Sequence, residues 1–489
     1  MDNLLSYSKR TGFLGGLAVF FVLLFIPAPE GLSEEAWKTA AVTILMGIWW
    51  ITEAIPISAT ALVPIVLFPI LGVTTISSAT SPYANPLIFL FMGGFIIALA
   101  MEKWQLHRRI AISILSVVGV KPSSIIIGFI IASAFLSMWV SNTATAIMML
   151  PIAVSILDLV STDSKKGKIN FEIVLILSIA YACNIGGMGT LIGTPPNALL
   201  AGFLNENYGI EIGFLEWMMV GVPIMLVSLP IMYFVLTKIV YPIRIQALEG
   251  GENLIRNQLE SLGKVSNQEK KVAFVFISAA LLWMFRPLLQ DLIPGLSDGG
   301  IAIMASVVIF MIPSGTGDGE GLLIWSDTKS LPWGVLILFG GGLSMASAIS
   351  STGLASWIGS GIGGLNTWPI ILIIVIVIAL IVFLTEMTSN TASTAAFLPI
   401  LASVAIGLGQ NPLLLAIPTV FGASCAFMLP VATPPNAIVY GSGKITIPEM
   451  SKAGLWLNFI FIGILSVASL TLISWVFGID LGVIPEWAQ

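Results

Sequence analysis

Charge is scarce in this chain of 489 residues, where Asp, Glu, Lys and Arg together make up 9 %. An ordinary soluble domain carries about a quarter. With 20 basic and 25 acidic side chains, a globule of this size cannot cover its surface with water-binding groups. That excludes a cytosolic enzyme, a disordered chain and a secreted disulfide scaffold. Histidine is limited to His107. Cysteine is limited to Cys183 and Cys425, which lie in apolar runs without a CxxC word and read as small packing residues rather than a pair. No HExxH word, no paired intramembrane aspartates and no histidine beside a nucleophile are present, which argues against an intramembrane enzyme. What the chain has instead is apolar sequence, 57 % of all residues, as expected of a protein whose outside faces lipid.

Apolar runs long enough to cross about 30 Å of hydrocarbon fall at 12–27, 37–52, 57–76, 86–106, 171–204, 216–240, 272–290, 299–313, 332–350, 412–443 and 454–478. The first follows Lys9 and Arg10 as a signal peptide would. It lacks an A-x-A site and reads as a retained span. Two further runs, 123–159 and 369–406, are each interrupted centrally by Ser-Asn-Thr. Treated as hairpins that return to their own side, they leave eleven spans, the N-terminus inside and the C-terminus outside. Of the 20 Lys and Arg residues, all but Lys38 and Arg286 then fall on the inner side. A single crossing at 123–159 would instead separate Lys121 from Lys165, Lys166 and Lys168. The polar stretch 244–271 reads as an inner interfacial helix plus linker, with Leu248, Leu254, Ile255 and Leu259 able to face lipid. The Gly-rich stretch 314–321 reads as a loop.

The chain repeats itself. Phe91-Met92-Gly93-Gly94, Ser141-Asn142-Thr143-Ala144 and Leu150-Pro151-Ile152 recur as Phe339-Gly340-Gly341-Gly342, Ser389-Asn390-Thr391-Ala392 and Leu398-Pro399-Ile400, all 248 residues later. Thr194-Pro195-Pro196-Asn197-Ala198 recurs as Thr433-Pro434-Pro435-Asn436-Ala437, 239 residues later. A fixed offset with identical polar words marks an internal duplication. The second Gly-rich helix is the fifth span after the first, and an odd step inverts the second copy. Inverted repeats are a property of secondary transporters, whose site lies at the repeat interface near the midplane.

Each polar word carries chemistry. Ser-Asn-Thr at a hairpin tip offers two hydroxyls, an amide and free backbone groups at membrane depth, where polar groups are costly. A packing cluster of hydroxyls is the plainer reading, and two matched copies weigh against it. Thr-Pro-Pro-Asn removes two backbone donors inside a span. The carbonyls of Leu191, Ile192, Pro430 and Val431 lose their i+4 donors, and open carbonyls suit a hard cation. The half-helix after each break points its positive end into the same space, where an anion is favoured. Neither word contains Lys, Arg or His, so a buried dianion there needs bound cations as counter-charge. Among the remaining candidates, Glu386 reads as a proton-sensing group, a support for a cation site, or a structural acceptor for hairpin backbone. Glu53 reads as interfacial, His107 as a solvated interfacial residue beside Arg108 and Arg109, and Trp49, Trp50 and Trp139 as interface belt and packing.

At these words the chain resembles the divalent-anion/sodium symporter family. The resemblance also takes in Trp49-Trp50-Ile51-Thr52-Glu53-Ala54-Ile55-Pro56 and Glu102-Lys103-Trp104-Gln105-Leu106-His107-Arg108-Arg109, and it covers nearly the whole chain. It implies an all-α polytopic membrane protein of about eleven transmembrane helices and two re-entrant hairpins with an inverted-topology repeat. It also implies a homodimeric, elevator-type transporter in the cell's inner (plasma) membrane, with no enzymatic activity and no nucleic-acid partner. The implied division is scaffold helices at 1–120 and 272–365 and an inner hairpin at 121–160. Transport helices fall at 161–243, broken at 194–197, and a cytoplasmic linker at 244–271. An outer hairpin follows at 366–408, then transport helices at 409–489, broken at 433–436. One sodium ion would sit at Ser137, Ser141, Asn142 and Gly193, and a second at Thr385, Ser389, Asn390 and Ala432. Substrate carboxylates would meet Ser141, Asn142, Thr143, Ser389, Asn390 and Thr391, with Thr194, Thr433 and Pro434 nearby. The resemblance implies sodium-coupled import of C4-dicarboxylates such as succinate, malate or fumarate. Citrate or sulfate symport, and sodium-independent dicarboxylate exchange, are the alternatives within the family. A proton-coupled carrier titrating Glu386 and a channel are alternatives outside that reading.

Overall fold

The computed structural model describes residues 2–119, 121–157, 165–243, 251–317, 319–361 and 367–488. The described residues are helical, apart from turns and one isolated bridge between Pro313 and Gly321. A chain this apolar has little choice, because in lipid only a helix satisfies its backbone within one segment. Among the described residues, seven helices are long and apolar enough to cross a membrane, and six shorter apolar helices accompany them.

Helices Asp2–Phe25 and Glu34–Thr52 pack on each other. The run at 57–76, expected as one span, is instead two short helices, Ile57–Thr60 and Val63–Ile70. Pro56, Pro64 and Pro69 explain the difference: each removes a backbone donor, and each disfavours helix in the residue before it. Helix Pro86–Lys103 follows, then the surface helix Leu106–Val118.

The first hairpin consists of Pro122–Ser137 and Asn142–Leu157, the second of Ile370–Thr385 and Asn390–Gly407. Three of their arms have 16 residues and reach about 24 Å at 1.5 Å per residue, short of a bilayer core; Asn390–Gly407, with 18, is at the lower limit of a span. Each Ser-Asn-Thr word follows the turn, at 138–140 and 386–388, and begins the returning helix. Each Thr-Pro-Pro-Asn word likewise restarts a broken helix, Lys165–Gly187 resuming as Pro195–Tyr208 and Leu413–Ala423 resuming as Pro434–Gly441. The prolines sit in the first turn after each break, where no intrahelical donor is needed. Phe214–Phe234 and Ile447–Ala468 come next in the two halves, and both run on into a π-helical turn, Val235–Val240 and Ser469–Ile473.

Two glycines show how closely these elements approach. A Cβ on Gly93 would lie 2.6 Å from the Ala302 carbonyl carbon, so helices Pro86–Lys103 and Asp298–Met311 touch through backbone. A Cβ on Gly94 would lie 3.5 Å from Ile192 Cβ, which brings the first break against helix Pro86–Lys103. Stacked aromatic pairs fill part of the core. Trp217 stacks on Phe421 at 5.1 Å and Phe214 on Trp283 at 4.7 Å, with Trp217 and Trp283 fully buried. On the outside, Phe274, Leu288 and Trp475 are 70 %, 75 % and 76 % exposed, as suits a surface that meets hydrocarbon.

Of the belt and packing roles expected of the tryptophans, Trp49 and Trp50 take packing: both are buried, Trp50 donating to the Ile57 carbonyl at 3.1 Å and Trp49 stacking on Phe13. Trp139 packs against Phe214 and Phe276. His107 is not solvated. Gln105 in the left-handed conformation (φ 57°) turns the chain so that the ring enters the core and Nδ1 donates to the Met101 carbonyl at 3.0 Å. Ile255 is buried and Leu259 half-buried within the chain, where helix Gly251–Ser261 packs on Leu106–Val118, rather than facing lipid. Leu248, Arg244 and the side chains of Leu254, Lys165, Lys166 and Lys168 lie outside the described residues. Cys183 and Cys425 are free and buried.

Candidate functional site

The four polar words meet at one cavity of about 510 Å³. Ser141, Asn142 and Thr143 reach it from the first hairpin, and Ser389, Asn390 and Thr391 from the second. Gly193 and Thr194 reach it from the first break, and Ala432, Thr433 and Pro434 from the second. Ser137 and Thr385 do not line it. They are fully buried one turn behind the tips. Thr385 Oγ1 donates to the carbonyls of Ile381 and Val382, while Ser137 Oγ lies beside the Cys183 thiol without an oxygen or nitrogen partner.

Local hydrogen bonds explain the shape of each tip and break. Ser141 Oγ accepts from Ala144 N at 3.2 Å and Ser389 Oγ from Ala392 N at 3.5 Å, so each serine caps the returning helix. In the first break Asn197 Nδ2 donates to the carbonyls of Gly187 and Thr190, at 3.1 and 2.8 Å. In the second Asn436 Nδ2 donates to Ala426 and Leu429, at 3.0 and 3.1 Å. The amide that ends each Thr-Pro-Pro-Asn word thus closes the loop before it, a few residues upstream of the carbonyls expected to stand open. Between the two breaks, Asn184 Nδ2 donates to Thr433 Oγ1 at 3.1 Å and to the Ala426 carbonyl at 3.4 Å.

Oxygen atoms collect at the tips. Asn142 Oδ1 and Asn390 Oδ1 are buried and accept no hydrogen bond, which is costly unless something else fills the place. A Cβ on Gly187 would stand 3.0 Å from Asn142 Oδ1 and 3.1 Å from the Gly193 carbonyl oxygen, so these two oxygens face the same backbone hollow. Neutral oxygens from hydroxyl, amide and carbonyl groups are the donor set of a hard cation. Among the described residues lining the cavity, Glu53 is the sole charged one, and no Lys, Arg or His is present. Glu53 ends helix Glu34–Thr52 in the left-handed conformation (φ 47°) and pairs with Lys9 at 3.7 Å.

Sequence reasoning found both tips and both breaks. It missed Asn184, whose signal was a lone amide in a buried apolar helix. It also placed Glu53 at the interface rather than at the cavity, and nothing in the local sequence distinguishes the two.

A helical membrane protein with two hairpin tips and two broken helices around one polar cavity is a transporter by class. The chain belongs to the family described as the sodium:sulfate symporter transmembrane region, which it matches over residues 8–479. It is 44 % identical over 485 residues to the sodium-dependent dicarboxylate transporter SdcS of Staphylococcus aureus (strain bovine RF122 / ET3-1), covering 97 % of this chain and 93 % of the relative. It is 43 % identical over the same length and shares to SdcS of strain USA300. Among solved structures, Neisseria gonorrhoeae MtrF, described as illuminating a class of antimetabolite efflux pumps, aligns with a TM-score of 0.58 at 13 % identity, over 98 % of this chain and 95 % of that one. The Alcanivorax borkumensis YdaH transporter aligns at 0.59 and 14 %, over 87 % and 98 %. At such identities these two speak to fold alone.

Proposed function

We propose that this protein is a sodium-coupled symporter that imports C4-dicarboxylates such as succinate, malate or fumarate, working as a homodimer by an elevator mechanism. The observation that carries this reading is the cavity itself: an anion-sized space lined by both Ser-Asn-Thr tips and both breaks, without a basic side chain among its described lining residues. A dianion there requires counter-charge, and the unpartnered amide oxygens of Asn142 and Asn390 offer places for it. One sodium ion is assigned to Ser137, Ser141, Asn142 and Gly193, the other to Thr385, Ser389, Asn390 and Ala432. The carboxylates fall to Ser141, Asn142, Thr143, Ser389, Asn390 and Thr391, with Thr194, Thr433 and Pro434 completing the wall. The SdcS relatives carry both dicarboxylate and sodium in their names, which supports the choice over sulfate.

Glu53, Ile57, Pro332 and Val335 are among the residues that line the cavity, and on the charge asymmetry of the loops their segments are assigned to the cytoplasmic side with Lys9. In this reading the second half is inverted relative to the first. The hairpins and broken helices move together, and 1–120 with 272–365 stay as the dimerising scaffold. If sodium charge exceeds substrate charge, each extra charge adds about 2.3 kcal/mol per 100 mV of membrane potential. The test is competition: proteoliposomes with an inward sodium gradient take up labelled succinate, and unlabelled fumarate or malate suppress uptake at concentrations where citrate and sulfate do not. Suppression by sulfate alone contradicts the substrate assignment.

A further inference from the structure

We infer that Glu386 is a positioning residue that sets the second sodium position before the ion arrives, whereas the first position is assembled by its ion. This rests on the two sodium positions proposed above. Glu386 follows Thr385 at the tip of the second hairpin and is buried. Its Oε1 accepts from Phe427 N at 2.7 Å, Met428 N at 2.9 Å and Asn458 Nδ2 at 2.7 Å. Its Oε2 accepts from Met428 N at 2.9 Å and Leu429 N at 3.1 Å. One carboxylate thus gathers three successive amides of the second break and an amide from helix Ile447–Ala468, and among the described residues no Lys or Arg pairs with it. Hydrogen bonds to an ionised acceptor are roughly twice as strong as neutral ones. Leu429 leads directly to the site, because its carbonyl accepts both Asn436 Nδ2 and the Ala432 amide. The tip, the break and Ala432 are therefore one tied unit.

The first half keeps the link from break to site, since the Thr190 carbonyl, opposite Leu429, accepts Asn197 Nδ2 and the Gly193 amide, but no carboxylate gathers the amides of its break. The repeat offset places Met138 opposite Glu386. Met138 ties tip to break by a single neutral bond, its carbonyl accepting from Thr190 Oγ1, while its amide donates to Ala134 within its own helix. The amides of Met188 and Gly189 close on Ile185 and Gly186 within their own turn. The same register shows a second difference: Gly187 and Gly193 of the first break are Ala426 and Ala432 in the second. Glycine loses more conformational freedom on ordering than alanine, so the first break costs more to hold in place. Two independent features thus make the second position the stiffer one.

The experiment uses the full chain in lipid nanodiscs, with hydrogen–deuterium exchange read in choline and in sodium buffer. Peptides covering 386–392 and 424–433 are expected to exchange within threefold of the same rate in both, while peptides covering 137–145 and 186–194 slow at least tenfold in sodium. Equal slowing of both sets, or slowing confined to the second, overturns the inference. In parallel, Glu386→Gln in proteoliposomes is expected to raise the half-saturating sodium concentration for succinate uptake at least tenfold, with the maximal rate within threefold of the parent. Glu386→Asp falls between the two. A lowered maximal rate with unchanged sodium dependence marks a merely structural role and overturns it. An unmodified protein that shows no sodium dependence in uptake, or no response to sodium in either peptide set, defeats the sodium reading itself and this inference with it.

Discussion

Asn197 closes the break in its own helix by donating to the carbonyl of Thr190, 2.8 Å away. Asn436 repeats the arrangement on Leu429. Replacing either asparagine with alanine removes two hydrogen bonds to buried carbonyls, of which Thr190 keeps the Gly193 amide, Leu429 the Ala432 amide and Ala426 the Asn184 amide, a cost of about 0.5–1.5 kcal/mol per lost bond. Asn197→Ala and Asn436→Ala are each expected to lower the unfolding midpoint and to reduce uptake at least tenfold. Wild-type uptake in either variant contradicts a structural role for the break.

The next prediction concerns charge at the tips. Asn142 and Asn390 present unpartnered amide oxygens beside the cavity. Aspartate keeps the shape and adds a negative charge in a space assigned to a dianion. Asn142→Asp and Asn390→Asp are expected to cut uptake of labelled succinate more than a hundredfold with normal membrane expression. Uptake above a tenth of the parent rate removes these residues from the site.

A third prediction tests movement. A Cβ on Gly94 would lie 3.5 Å from Ile192 Cβ, within the range a disulfide needs. In a chain with Cys183 and Cys425 replaced by serine, the pair Gly94→Cys and Ile192→Cys is expected to crosslink on mild oxidation. Transport stops when the bond forms and returns on reduction. Continued transport with the bond formed contradicts sliding of the broken helices past helix Pro86–Lys103.

The fourth prediction uses the sole histidine of the chain. Burial holds the His107 ring below its ordinary value near 6.5; the Met101 carbonyl opposes this and Arg108 adds to it. Because the folded-state value is the lower one, its contribution to stability is complete above about 6.5. It is lost as the pH falls through the folded value. Imidazole signals of the labelled protein are expected to titrate below the free value, with helix Leu106–Val118 loosening over the same range. Titration at or above 6.5 contradicts the buried placement.

Much of this site was legible because lipid leaves polar words nowhere to hide. Ser-Asn-Thr and Thr-Pro-Pro-Asn inside apolar runs demanded a turn and a break, and the structure supplies both, twice. What was illegible depends on distant partners. For Glu386 three roles stood open, a proton-sensing group, a cation-site support or a structural acceptor, and the donors that bear on the choice arrive from Phe427 and Asn458, far along the chain. His107 looked solvated beside two arginines, and the left-handed turn at Gln105 that buries it has no signature in a non-glycine residue. The run 57–76 matched a span by length, but its prolines break it.

Sodium coupling is the central claim, and it follows from a cavity whose described lining holds no basic side chain. Proteoliposomes containing the purified protein, loaded with choline buffer and diluted into sodium buffer, measure it directly through labelled succinate. Uptake is expected to rise steeply with external sodium and to fall to the level of empty vesicles when choline replaces it. Uptake of equal rate in choline contradicts the account.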